Sequence, residues 1–247
     1  MNNEIEKCMA SMLDRHERIA LQLSGGRDSL ACLFLFKNFL SKITVYWLNT
    51  GDAYPETLEM IKKAKLLCPN FIEVNGDRHN SISDFGLVTD LLPASCTPLG
   101  LAAGQSAIRM QDSRSCCLRV RMIPLHQKMK ADGITLIIRG QRQSDKDKSP
   151  LVSGDIEDGI EYCFPIQTWS DLDVNQYLTS VGVVLPKIYD YLDSTPECLH
   201  CTGWWDMDRT KYLKVHHAEV YDQYIASLDS IKQEVEKHIN HFNQSFK

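Results

Sequence analysis

Residues 23–29 read Leu23-Ser24-Gly25-Gly26-Arg27-Asp28-Ser29. The apolar run Ile19 to Leu23 leads in, and a second, Leu30 to Leu40, leads out. That order predicts a strand, a tight glycine turn and a helix. Gly25 and Gly26 admit backbone angles closed to other residues and let the main chain come close to a ligand. Exposed N–H groups and the positive end of the helix then make an anion site. Ser24 and Ser29 add hydroxyl donors. Asp28 stands apart, since a carboxylate repels a bare phosphate; a bound Mg²⁺ reconciles the two. An isolated Ser-Gly-Gly is as often only a turn, so the reading depends on its surroundings.

Outward from the loop, the pattern repeats. Ile43 to Leu48 is an apolar run of the kind buried in a parallel sheet. It ends in Asn49-Thr50-Gly51-Asp52 and continues through Ala53-Tyr54-Pro55-Glu56-Thr57. Pro55 and Glu56 suit the first turn of a helix over 56–67. Phe71 to Val74 reads as a third strand. Ile134 to Ile138 is a fourth, ending in Arg139-Gly140-Gln141-Arg142, and Ile160 to Phe164 a fifth. Strands alternating with helices predict an α/β fold: a doubly wound, mostly parallel sheet of about five strands with a helical C-terminal region. Ligands of such sheets sit beyond the carboxyl ends of the strands. Ser24 to Ser29 and Asn49 to Thr57 are therefore expected to face one crevice.

The remaining chain is less even. Residues 2–17 have the spacing of an amphipathic helix. Ser170 or Asp171 caps a helix through Leu178, and residues 207–244 read as helical. Residues 78–115 are rich in Pro, Gly and small residues and carry no clear period. They are expected as a mobile flap or a compact surface loop. The domain expectation is one nucleotide-binding domain over 1–206 and a helical extension over 207–247.

The chain has 247 residues, 43% hydrophobic and 24% charged, enough for a real core. A formal net charge of −5 argues against general adhesion to nucleic acid, though not against a local basic patch. No apolar run approaches the roughly 20 residues of a membrane span. A cytoplasmic location without membrane contact is expected.

Nine cysteines are many for such a chain. A disulfide scaffold does not fit this length and hydrophobic content. Cys8, Cys32, Cys68, Cys96 and Cys163 are scattered singly and read as small buried hydrophobes. Cys116-Cys117 and Cys198-Leu199-His200-Cys201 are paired. Four soft sulfurs suit tetrahedral zinc or an iron–sulfur cluster. An adjacent pair is awkward for one small ion, and a cubane with its corners spread apart accepts it better. Spacing alone leaves cluster, zinc and no metal open.

Ser24-Gly25-Gly26-Arg27-Asp28-Ser29 resembles the SGGxDS pyrophosphatase loop of the adenine-nucleotide α-hydrolases, a group that includes the 3′-phosphoadenylylsulfate (PAPS) reductase family. No Lys follows the glycines, so the loop is not of the GxxxxGK(S/T) kind and γ-phosphate transfer is not implied. Other resemblances follow in order. Asn49 to Thr57 resembles that family's DTGxxxPET stretch, with Asn49 in place of its Asp. Cys116, Cys117, Cys198 and Cys201 match the [4Fe–4S] signature of the adenylylsulfate (APS) reductase branch. Arg139 to Arg142 resembles the strand-end Gly-x-Arg-Arg element, and Phe164-Pro165-Ile166 with Trp169 the P-I-x-x-W segment. The resemblance spans roughly 18–206.

It implies a nucleotide site at Ser24, Gly25, Gly26, Arg27, Asp28, Ser29, Asn49, Thr50, Gly51, Arg139, Gly140 and Arg142. Ser24, Arg27, Asp28 and Ser29 carry the chemistry, with ATP and Mg²⁺, and Cys116, Cys117, Cys198 and Cys201 hold a [4Fe–4S] cluster. One departure matters. The reductases carry a nucleophilic Cys in an ECGLH-like tail, whereas residues 202–247 contain none. A reductase would need another thiol, such as Cys96. The expectation is instead an ATP pyrophosphatase that adenylates an acceptor for sulfur incorporation, as in DNA phosphorothioation systems. A cysteine desulfurase or other sulfur donor would be its partner and a nucleic acid its acceptor. A homodimer is compatible with this. APS or PAPS reduction to sulfite, tRNA thiolation, and a non-catalytic nucleotide- or cluster-binding subunit are the alternatives.

Overall fold

The protein is described from a computed structural model, over residues 9–104, 108–145 and 148–246. The start of the N-terminal helix and Cys8 lie outside these residues. The chain divides into two compact units. One comprises Met1–Asn49, Pro55–Val74 and Leu125–Tyr189; the other comprises Thr50–Tyr54, Asn75–Pro124 and Asp190–Lys247.

The first unit holds the main sheet. Its strands are β1 (Ile19–Gln22), β2 (Ile43–Asn49), β3 (Phe71–Asn75), β6 (Leu136–Ile138), β7 (Ile156–Glu157) and β8 (Ile160–Cys163), in the order β3-β2-β1-β6-β8-β7. β1 pairs in parallel with β2 and β6, and β6 in parallel with β8. β7 and β8 form an antiparallel hairpin. The sheet is thus the expected α/β, mostly parallel one, with six strands rather than five. The sixth is the two-residue β7, too short to show a period. Helices α2 (Arg27–Leu35), α3 (Pro55–Lys65) and α8 (Asp171–Ser180) follow β1, β2 and β8. Ser170 caps α8 with a full capping box, its hydroxyl accepting from Asp173 N–H and the Asp173 carboxylate accepting in return. Ala20, Tyr46, Met129, Ile134, Ile137 and Ile160 form one core cluster. Because β1, β2 and β6 are buried along their length, their sequences read as continuous apolar runs.

Strand order reverses between β1 and β6. The chain moves outward through β2 and β3, then returns to the other side of β1. Such a switch point opens a crevice at the strands' carboxyl ends. Ser24 to Ser29 leaves β1 there, and Arg139 to Arg142 leaves β6.

The second unit contains the stretch expected as a flap or surface loop. Its described residues are folded. α4 (Arg78–Phe85) is capped by Asp77, whose side chain accepts from Asn80 N–H. β4 (Leu87–Val88) and β5 (Met110–Gln111) pair in parallel. α5 (Pro98–Ala102) lies between them, and α6 (Ser113–Cys117) follows. α6 runs through a π-helical turn, Leu118–Met122, into α7 (Ile123–Ala131). The C-terminal part forms α9 (Met207–His216) and α10 (Ala218–Gln244). Ile231 of α10 packs with Cys96 and Met110 of the 78–115 stretch. Among the described residues, no helix is long and apolar enough to cross a membrane.

Candidate functional site

In the first unit, the β1–α2 loop is shaped by its own serines. Gly25 has φ +84, a left-handed angle that favours glycine. Ser24 N–H donates to Ser29 Oγ at 3.1 Å, Gly26 N–H donates to Ser24 Oγ at 3.3 Å, and Ser29 Oγ donates to Gly26 O at 2.9 Å. Gly26 at the N-cap has no side chain to occupy the first-turn N–H groups of α2. Arg27 N–H donates to Tyr189 Oη at 2.9 Å.

Charged groups gather round Asp28. Arg142 Nη1 donates to Asp171 Oδ1 at 2.6 Å, and Arg27 Nη2 donates to the same oxygen. Arg142 Nε faces Asp28 Oδ1 at 3.3 Å. Both of those atoms are buried and neither makes a hydrogen bond. The two atoms pair by charge but without a hydrogen bond, which leaves a cation and an anion something to satisfy. Burial pushes the Asp28 carboxyl up to about 6, with Arg142 and Arg27 opposing. The residues thus fit a magnesium-bound phosphate: Asp28 toward the cation, Arg142 and the loop amides toward the anion.

The other expected residues divide between the units. Gly140 lies against the Asp28–Ser29 backbone, closing the cradle from the β6 side. Arg139 N–H donates to Cys163 O at 3.0 Å, and its charge opposes the burial that raises the Tyr162 hydroxyl. Asn49 Nδ2 donates to Glu73 Oε1 at 2.9 Å on the neighbouring strand. Thr57 comes against the loop, since a Cβ at Gly25 would stand 2.8 Å from Thr57 Cγ2. Thr50 and Gly51 belong to the second unit.

There the cysteines converge. Cys116 and Cys117 sit on α6, and Cys198 and Cys201 on the loop before α9. Cys201 lies close enough to Cys116, Cys117 and Cys198 to interact electrostatically with each. Burial pushes all three thiols up, Cys198 to about 12. Opposing it, the Thr50 hydroxyl bonds Cys198, and Arg121 bonds Cys117. Arg121 Nη2 also pairs with Glu197 Oε1 at 2.6 Å. Among the described residues, no three of these sulfurs lie within 4.8 Å of one another. Thiolates on one tetrahedral zinc stand about 3.8 Å apart. By the chemistry of its donors, a set of four thiols fits an iron–sulfur cluster.

Sequence reasoning missed what holds this loop. Asp52 takes His200 Nδ1 at 2.6 Å and Arg78 Nε at 3.1 Å, and its carbonyl accepts from Leu199 N–H at 2.7 Å. Arg78 Nη2 donates to His200 O at 2.7 Å. Arg209 is fully buried; it donates to Leu199 O at 2.9 Å, Trp204 O at 3.1 Å and Tyr54 Oη at 3.0 Å, over the ring of Tyr224. A cavity of about 430 Å³ opens beside the loop, lined by Thr50, Asp52, Arg78, His79, His200 and Tyr224 among others.

Residues 99–204 match a family model described as the phosphoadenosine phosphosulfate reductase domain. That span includes all four paired cysteines and Arg139 to Arg142. Across its length, the chain is similar to an adenosine 5′-phosphosulfate reductase of Burkholderia cepacia, 22% identical over 232 residues and covering 86% of each. It is 23% identical over 164 residues to an enzyme of the same name from Rhodococcus erythropolis, covering 65% of this chain and 59% of the relative. Among solved structures, it is similar to the phosphoadenylyl-sulfate reductase of Candida auris in its phosphate complex. The TM-score is 0.49 at 16% identity, over 70% of this chain and 77% of the other.

Proposed function

We propose that this chain is an ATP pyrophosphatase that adenylates an acceptor oxygen so that sulfur can replace it. In the reaction, the bond between the α- and β-phosphates breaks and pyrophosphate leaves. The acceptor oxygen joins the α-phosphorus, and a sulfur nucleophile then displaces that oxygen with AMP. Magnesium would neutralise the departing pyrophosphate. The chain's own contribution is orientation and charge. The loop amides and the Ser24 and Ser29 hydroxyls bind the phosphates, Arg142 and Arg27 turn from Asp171 to the substrate, and Asp28 holds the cation. Cys116, Cys117, Cys198 and Cys201 would hold a [4Fe–4S] cluster, which can accept or pass sulfur and electrons. DNA phosphorothioation is the finer assignment, with a cysteine desulfurase as sulfur donor.

One observation carries this reading over sulfonucleotide reduction. Reduction needs an accessible thiolate outside the metal set. Among the described residues, the cysteines outside that set, Cys32, Cys68, Cys96 and Cys163, are each buried, and residues 202–247 hold no cysteine. The names of the matching family and relatives favour the second reading, a reductase that forms sulfite from APS or PAPS. The deciding experiment incubates anaerobically purified protein separately with ATP–Mg²⁺ and with APS or PAPS plus thioredoxin. Pyrophosphate from the first supports the proposal; sulfite from the second, without pyrophosphate from the first, overturns it.

A further inference from the structure

A second group of metal-binding side chains lies in the second unit, apart from the four paired cysteines. Glu234 and His238 are four residues apart on α10, one turn along the same face. Cys96 meets them from the 3₁₀ turn Ala94–Cys96. The ligand atoms of all three lie within 4.8 Å of one another. Glu234 Oε1 is 3.8 Å from Cys96 Sγ and 3.6 Å from His238 Nε2.

Those edges can be compared with a metal's. Ordinary zinc bonds to thiolate, imidazole and carboxylate, set tetrahedrally, give a sulfur–oxygen edge of about 3.6 Å and a nitrogen–oxygen edge of about 3.4 Å. The sulfur–oxygen and nitrogen–oxygen edges are therefore each longer by about 0.2 Å, and the sulfur–nitrogen edge is within 4.8 Å. Neighbouring side chains also hold the three in position. Lys237 Nζ holds the other Glu234 oxygen, Oε2, at 2.7 Å, which leaves Oε1 directed at the cysteine and histidine. Ser95 Oγ, 3.0 Å from His238 Nε2 and 3.8 Å from Cys96 Sγ, borders the fourth corner. Cys96 and Glu234 are buried, while His238 is partly open to solvent and gives an ion a way in.

We infer that Cys96, Glu234 and His238 form a zinc site that clamps α10 to the Ala94–Cys96 turn. This inference is independent of the reading of the nucleotide loop. It also gives Cys96 a structural task in place of the nucleophilic one.

The test uses the full chain with its iron site loaded. Zinc and iron are measured per chain after equilibration with zinc at a buffered free concentration. One zinc per chain beyond the iron is expected. His238→Gln, at a partly exposed position that leaves the fold intact, and Glu234→Gln should each weaken zinc binding by at least about tenfold, the lower end of what even an outer-sphere partner contributes. Iron should not change. With Co²⁺ in place of zinc, the thiolate charge-transfer band should appear in the native chain and vanish in Cys96→Ala. Absence of zinc beyond the iron, wild-type zinc affinity in both α10 variants, or a cobalt spectrum without a thiolate band would each overturn the inference.

Discussion

Gly140 and Asp28 meet backbone to backbone: a Cβ at position 140 would stand 2.7 Å from the Asp28 carbonyl carbon and 2.8 Å from its oxygen. Neither atom can move without shifting the start of α2. Gly140→Ala should therefore displace the loop that Gly140 supports. Turnover should fall by about 100-fold, the order of loss from a misplacement near 1 Å. Stability should fall by about 1–3 kcal/mol. Pyrophosphate release and urea unfolding measure the two.

Asp28 should set the acid limb of activity. Its carboxyl, raised by burial to about 6, is mostly ionised at neutral pH and protonates as pH falls through 6. A protonated Asp28 no longer holds a cation, so kcat/KM should drop below about pH 6. The sign for stability is opposite. A raised carboxyl costs the folded state most above 6, and the cost vanishes below the unfolded value. Asp28→Asn should thus abolish turnover yet stabilise the protein by about 1–3 kcal/mol at pH 8, with the gain lost by pH 4. An unchanged unfolding midpoint at pH 8 would contradict this account of the site.

The β1 loop and the four cysteines were visible in the sequence because each is a local pattern of small or sulfur-bearing residues. β1, β2, β3, β6 and β8 were visible because burial makes them apolar runs. β4, β5 and β7 were not, since a two-residue strand has no period. Residues 78–115 looked irregular because their order comes from caps and distant partners. Val88 N–H, for example, donates to the Thr202 hydroxyl. Asp171 was legible as a helix start but not as the partner of Arg27 and Arg142. Arg209 sits in the charged run Asp206 to Lys211, where nothing distinguishes a buried arginine from its solvated neighbours.

Arg121 lies between Glu197 and the Cys117 thiol, so it should steady negative charge on the sulfurs. Arg121→Met should lower iron retention by about 10–100-fold, the usual effect of removing an outer partner of a metal site. Anaerobic iron-to-protein ratios after challenge with a chelator measure this. Cys117→Ser and Cys198→Ser should lose the iron outright. Full retention of iron in both would overturn Cys117 and Cys198 as ligands of the cluster.

Arg209→Met should detach the loop from its anchor. The Leu199 and Trp204 carbonyls would lose donors in a buried setting, costing about 2–4 kcal/mol. Arg209→Lys should not restore the loss, because one ammonium cannot reach Tyr54, Leu199 and Trp204 in the same fork. Urea unfolding of the three forms decides it.

The cysteine pairs have a consequence for biosynthesis. Cys116 and Cys117 leave the ribosome about 80 residues before Cys198, an interval of about 4–16 s at ordinary elongation rates. Contact between Gly140 and Asp28 also waits for more than a hundred residues of chain. Neither centre can form until its later residues have been translated. Half of the sulfur set emerges as bare thiols, exposed to oxygen before its other half has been translated. Metal delivery should therefore wait for Cys198 and Cys201, and a pause in translation between the two pairs should depress iron content while leaving the amount of protein unchanged.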